Sequence, residues 1–182
     1  MNMPVIKMSL VTYNALMDHL LPPHAYYEEA AFLFTESSYD PELSLSFQVV
    51  DWKPIPPNGF ACRSAHYLEL KDDMRASLIK RAHDLGACLV ECHSHPSFGP
   101  RFSWSDCLGM EEFAPHVRWR LRGRPYAAVV VAANGFDSLV WHDKGGSPDD
   151  SAAIDVDGHY MEPTGYTLSR WEVICAERPL CS

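Results

Sequence analysis

Ala87-Cys88-Leu89-Val90-Glu91-Cys92-His93-Ser94-His95-Pro96 is the stretch on which the fold turns. Ala87 to Cys92 is a short apolar run of strand length, and it passes directly into two histidines one residue apart. Before it, Lys71 to Leu85 sets Met74, Leu78, Ala82 and Leu85 at helical spacing, with Asp72 and Asp73 near the start and Gly86 at the stop. After it, Gly99 and Pro100 can turn the chain back, and Ser105 to Phe113 reads as a second helix, stopped near Pro115. Tyr126 to Ala133 is strongly apolar and reads as a central strand; Asn134-Gly135 signals a hairpin whose return strand is Phe136 to His142. Helix and strand in alternation, closed by an antiparallel hairpin, predict an α/β layered domain around a mixed sheet.

Upstream, Val5 to Met8 reads as a short edge strand and Ser9 to Leu20 as a helix, with Ser9 or Thr12 as cap and Leu16 and Leu20 on one face. Leu21-Pro22-Pro23-His24 ends that helix, because proline cannot continue the ladder. Ala30 to Phe34 has strand length, and Leu43 to Trp52 begins with alternation, Leu43, Leu45, Phe47 and Val49 on one side. Trp52 to Phe60, with three prolines and Asn58-Gly59, reads as a loop. Residues 1–143 are expected to form the working domain. Residues 144–182 are expected to be an extension, opened by a mobile linker over Lys144 to Asp157 and followed by a weakly strand-like tail.

The chain has 182 residues, of which 47% are hydrophobic and 21% charged, enough for one sizeable core and unlike a disordered chain. Its 24 acidic and 15 basic residues give a net charge of -9. The one basic stretch, Arg118, Arg120, Arg122 and Arg124, would share a face on a strand but falls short of the field a phosphate backbone requires, which argues against nucleic acid as a partner. Met1 to Met8 carries no charged lead into an apolar run, and no stretch approaches the roughly 18 apolar residues of a membrane span. A soluble, cytoplasmic protein without membrane partners is expected. None of Cys62, Cys88, Cys92, Cys107, Cys175 and Cys181 has Cys-x-x-Cys spacing, so reduced thiols packed as small hydrophobes are expected.

Two histidines flanking one residue at a strand end project to the same side of the backbone, where both imidazoles can bind one zinc at about 2.0–2.1 Å. Asp106, at the start of the following helix, can supply a third, oxygen ligand. Three protein ligands leave a fourth position open, the pattern of catalytic rather than structural zinc, and such a site needs a general base. The pair Glu28-Glu29, just ahead of a buried strand, offers one. Cys92 should point away from the metal by strand alternation, and Cys107 is expected in the core. Ser103 suits a helix cap, and Phe102 and Trp104 suit either a groove wall or ordinary packing. The His-x-Glu and Pro-Cys-x-x-Cys elements of zinc nucleobase deaminases are absent.

His93-x-His95, seven residues, then Ser103-x-x-Asp106 resembles the signature of the JAMM (JAB/MPN) zinc metallopeptidases, bacterial type. That family's upstream Glu-x-x-Gly element is similar to Glu28-Glu29-Ala30-Ala31, with Ala31 where Gly is common; the alignment favours Glu28 over Glu29. The resemblance covers residues 5 to 142. It implies an MPN-like mixed sheet flanked by helices, and one zinc per chain on His93, His95 and Asp106. It also implies Glu28 as the base that takes a proton from the attacking water, and Ser103 as an oxyanion donor. The implied substrate is the C-terminal tail of a ubiquitin-like protein, deconjugated or processed, with E1-like and E2-like proteins as companions. Two other readings go with the same residues: an inactive MPN-type scaffold, and a zinc amidase for a small peptide or a sulfur-carrier protein.

Overall fold

Asp72 and Asp73 sit in the first turn of the helix Asp72–Leu85 (α2), and Gly86 ends it at φ 66°, donating its N–H to the carbonyls of Ala82 and His83. The chain then enters Cys88–Ser94 (β6), which lies inside an eight-stranded mixed sheet. The computed structural model describes residues 3–40, 44–143 and 145–176. Its other elements are Val5–Met8 (β1), Leu10–Leu20 (α1), Ala30–Asp40 (β2), Ser44–Pro54 (β3), Phe60–Arg63 (β4) and Leu68–Leu70 (β5). After β6 come Trp104–Arg120 (α3), Tyr126–Ala132 (β7), Gly135–Trp141 (β8), Ala153–Val156 (β9), His159–Met161 (β10) and Trp171–Ala176 (α4).

The sheet runs β10-β9-β1-β3-β2-β6-β7-β8, while β4 and β5 form a separate two-stranded hairpin. The pairs β1/β3, β1/β9 and β6/β7 are parallel and the rest antiparallel. Apolar side chains on both faces of β2, β6 and β7 demand cover on both sides. Ala31, Leu33, Val90, Cys92 and Val129 pack with Leu16 and Leu20 of α1 on one face. Phe32, Phe34, Leu89, Ala128 and Val130 pack with Leu78, Ile79, Met110, Ala114 and Val117 of α2 and α3 on the other. Burying each such large side chain contributes about 1.5–3 kcal/mol. Ile79 rather than Leu85 completes the inner face of α2, and Leu85 is exposed.

Several expectations change in three dimensions. β1 is interior, because β9 pairs with it in parallel on one side and β3 on the other. That places residues 153–156, expected in a mobile linker, inside the main sheet. Farther on, Trp171 of α4 stacks edge-on against Trp141 of β8 at 5.8 Å, and Thr167 is fully buried. Residues 145–176 thus share the sheet and core of the preceding chain. Strand β3 continues through Trp52 to Pro54, beyond the expected loop start. Helix α3 runs through Pro115 to Arg120. An interior proline costs about 3 kcal/mol, but Cys107, Met110, Ala114, Val117 and Leu121 form a continuous buried stripe that outweighs it. Glu111, whose carbonyl loses its partner, lies on the exposed side. The arginine stretch therefore occupies a helix end and turn, not a strand, and Arg118 donates to the carbonyls of His142 and Asp143. Leu43, Lys144 and Cys181 lie outside the described residues. Among the described residues, no helix is long and apolar enough to cross a membrane.

Candidate metal centre

Register builds the site. His93 of β6 pairs with Ala30 of β2 and with Val130 of β7, so the strand carrying the histidines is anchored on both sides. Past the strand, the His95 N–H donates to the Val131 carbonyl at 2.8 Å. Ser94, between the histidines and fully buried, exchanges two bonds with Glu29: its N–H reaches the Glu29 carbonyl at 3.0 Å and its Oγ accepts from the Glu29 N–H at 3.0 Å. The Glu28 N–H donates to the Ser64 carbonyl at 2.9 Å, beside the β4–β5 hairpin. These bonds deliver the Glu28 side chain to the histidines and turn Glu29 away, where its Oε1 meets Arg63 at 2.5 Å.

His93 and His95 lie with ring centroids 5.0 Å apart, on the face opposite Cys92. Asp106 arrives from α3. Ser103 caps that helix in a reciprocal box: the Asp106 N–H donates to Ser103 Oγ at 3.2 Å, while the Ser103 N–H and hydroxyl donate to Asp106 Oδ2 at 2.6 and 2.7 Å. The same oxygen stands 3.3 Å from His95 Nε2 and 3.6 Å from His93 Nε2. Glu28 Oε1 is 3.6 Å from His95 Nε2. Separations of 3.6 Å are too long for hydrogen bonds. They suit donor atoms sharing one ion, since metal bonds of about 2.1 Å in a tetrahedron set ligand atoms about 3.4 Å apart.

The polar atoms left over point the same way. Both ring nitrogens of His93, Nδ1 of His95 and Oε2 of Glu28 are buried without a hydrogen-bond partner. Buried polar atoms are ordinarily satisfied, so several orphans converging on one point mark a place for an ion or polar ligand. The ligand atoms of His93, His95 and Asp106 all lie within 4.8 Å of one another, and this buried cluster could hold a metal ion.

Proton affinities diverge across the cluster. Burial pushes the Glu28 carboxyl up to about 7, against a smaller opposing pull from His93. Burial alone would also raise Asp106, but the imidazoles of His93 and His95 beside it and the bond from the Ser103 hydroxyl outweigh it and hold Asp106 well below the usual carboxylate range. Burial lowers His93, and the Asp106 carboxylate more than restores it, so its affinity rises.

Of the residues singled out in the sequence, His93, His95, Asp106, Glu28 and Ser103 meet at one place. Cys92 and Cys107 are buried away from the metal-ligating atoms. Phe102 is a core residue whose ring lies 5.6 Å from that of His93, and Trp104 lines a groove beside the cluster. Sequence reasoning missed the brace behind the loop that joins His95 to Ser103. Asp137 of β8, fully buried, accepts from the N–H groups of Gly165 and Thr167 at 2.9 Å each and from the Thr167 hydroxyl at 2.7 Å. Thr167 Oγ1 in turn accepts from the Phe102 N–H at 3.2 Å. The signal was an aspartate inside a largely apolar strand, a polar group that burial obliges to find partners. His142, given no role from sequence, lies 3.8 Å from Asp143 and 3.5 Å from Asp149, in a more exposed second cluster. There both Asp149 oxygens already accept backbone N–H groups. No known family model matches the chain, and no curated protein matches it.

Proposed function

We propose that this chain is a zinc metallopeptidase of the JAMM type, with an MPN-like fold, that hydrolyses the peptide or isopeptide bond after the C-terminal tail of a ubiquitin-like protein. The observation that carries this reading is the convergence of two buried imidazoles and one anionic carboxylate, beside a second carboxyl group of opposite proton affinity. Two nitrogens and one oxygen at these separations suit zinc with one coordination position left open. When bound there, zinc polarises the scissile carbonyl and acidifies an attacking water.

The protein's own groups supply the rest. Asp106, fixed by the capping box, remains charged across the working pH range. Glu28, with its affinity near 7 and Oε2 free, accepts a proton as water oxygen bonds to the carbonyl carbon. It returns that proton to the amine nitrogen as the carbon–nitrogen bond breaks. Ser103 borders the reacting centre; to stabilise a developing oxyanion, its hydroxyl exchanges the Asp106 bond for the carbonyl oxygen. Substrate geometry is supported by the β4–β5 hairpin. Among the described strands β5 pairs only with β4, so its other edge can accept an extended tail by strand addition.

Native mass spectrometry after incubation with zinc tests the reading. One zinc is expected on the unaltered protein and none on Asp106→Ala, while Glu28→Gln keeps the zinc and loses cleavage of ubiquitin-like fusion proteins. A protein that takes up no zinc refutes the proposal. Zinc uptake without cleavage of any fusion favours the scaffold or the amidase, which a small-peptide amide substrate separates.

A further inference from the structure

The two faces of the sheet are covered unequally. Eight strands span about 33 Å, whereas the 11-residue helix α1 is about 16 Å long. Alone on its face, α1 leaves part of it bare, while α2, α3 and α4 share the other face. The sheet also curls: just past β10 the Thr164 N–H donates to the Phe136 carbonyl of β8 at 3.0 Å, joining its two edges. Between the sheet, α1 and this seam lies a cavity of about 330 Å³. Leu16 and Met17 of α1, Met8 of β1, Cys92 of β6, Val129 of β7 and Ile154 of β9 stand in its walls. Among the described residues its lining holds one charged side chain, Glu162, and one hydroxyl, that of Tyr13. The lining meets solvent at exposed Glu162 and at half-buried Tyr13 and Met17.

An apolar cavity of about 150 Å³ stays dry and takes up benzene. This one has about twice that space, room for about ten carbons, and too few polar groups in its depth to hold ordered water. Met8, Met17 and Met161 give it polarisable walls that adapt to a ligand. A second observation lies outside the cavity. Leu10, 53% exposed, shares a helix face with Tyr13 and Met17 and extends their apolar stripe into solvent. Its N–H donates to Asp157 Oδ2 at 2.8 Å, which holds this lip against the β9–β10 turn. Glu162 has no ion pair among the described residues, so the charge at the solvent boundary is open to a cation and repels a carboxylate. We propose that the cavity binds a small amphiphile, its alkyl or aryl body of about eight to ten carbons inside and a cationic amine head at Glu162. The cavity lies behind β6, on the face opposite the histidines, so the inference goes beyond the peptidase reading and needs neither metal nor catalysis.

The test is isothermal titration calorimetry on the full chain, in chelator, with octylamine, 1-octanol, octanoate and butylamine, each below its micelle concentration. One octylamine per chain is expected, bound at least about 30-fold more tightly than butylamine, since each buried methylene contributes about 3- to 4-fold. Octylamine should exceed octanoate about 3- to 10-fold at 0.05 M salt, and the gap should narrow at 0.5 M. Glu162→Gln should close that gap and leave 1-octanol within about twofold. Met17→Trp, which fills the cavity beside its opening, should weaken all three eight-carbon ligands at least about tenfold. Val129→Phe, in the sheet wall, gives the same reading should Met17→Trp impair folding. Val173→Trp, an exposed site on α4 outside the cavity, should leave binding within about twofold. Equal affinity for octylamine and butylamine overturns the inference, as does equal affinity for octylamine and octanoate. So does equal weakening by Met17→Trp and Val173→Trp, which would mean adsorption to the surface. A dimer in sedimentation velocity that octylamine dissociates makes a second copy of the chain the occupant and overturns it too. Octylamine binding in a protein that takes up no zinc would leave the cavity standing and remove the peptidase. Zinc uptake without octylamine binding would do the reverse.

Discussion

In metal-free protein, Glu28→Gln should make stability less sensitive to pH, by an amount the site itself sets. Burial moves the Glu28 carboxyl from its ordinary 4.5 to about 7. The folded state therefore holds this proton more tightly than the unfolded state. The stabilising contribution is fully present below about pH 4.5 and is lost as pH rises to about 7. At 1.36 kcal/mol per tenfold change in proton affinity, the full loss is about 3 kcal/mol, of which about 2.5 kcal/mol develops between pH 5 and pH 8. Glutamine keeps the shape and cannot ionise. Its own unsatisfied amide costs stability equally at both pH values and cancels in the comparison. His93, raised above its ordinary 6.5, also loses its contribution as pH rises, but that rise comes chiefly from Asp106, which both proteins keep, and Glu28 is the smallest of its causes. Urea denaturation in chelator at pH 5 and pH 8 measures the effect: the variant should gain about 2.5 kcal/mol on the unaltered protein between the two. A difference between the proteins that stays constant within about 0.5 kcal/mol would refute the argument that desolvation governs this carboxyl. Added zinc should shrink the effect, because a cation beside Glu28 favours its charged form.

Ser103→Ala removes the cap and the hydroxyl bond that orients Asp106. It should cost about 1 kcal/mol in urea denaturation and weaken metal affinity about 10–100-fold by competition with a chromophoric chelator. Asp137→Ala breaks the buried brace behind the Phe102 loop and should cost about 3–5 kcal/mol, with faster hydrogen exchange at Phe102 and Thr167 as the local signature. Trp141→Ala empties a fully buried site between Tyr126 and Trp171 and should cost about 3–5 kcal/mol, read from the urea midpoint at unchanged slope.

How far the chain could be read from its residues follows from the range of the forces involved. Helices α1 and α2, the β7–β8 hairpin and the central strand β6 were legible because periodicity, caps and Gly86 act within a few residues. The cluster was legible for the same reason: two histidines at strand spacing share a face, and Ser103-x-x-Asp106 is at once a helix cap and a device that orients the Asp106 carboxylate.

What lay beyond the sequence was everything set by distant partners. Pro115 predicts a helix end by local rules, and only the buried stripe from Cys107 to Leu121 overrides it. No local feature of residues 153–156 shows that they will pair with β1 and convert an expected edge into an interior strand. The choice between Glu28 and Glu29 as the carboxylate beside the histidines is likewise tertiary. It depends on Ser64, Arg63 and Ser94, which hold the two backbones so that one side chain meets His95 and the other meets Arg63. Spacing along the chain sets which residues can face one ion together and which short elements carry them. Three-dimensional packing alone selects which carboxylate is desolvated and what braces the loop from behind, because burial and charge depend on neighbours the chain reaches only by folding.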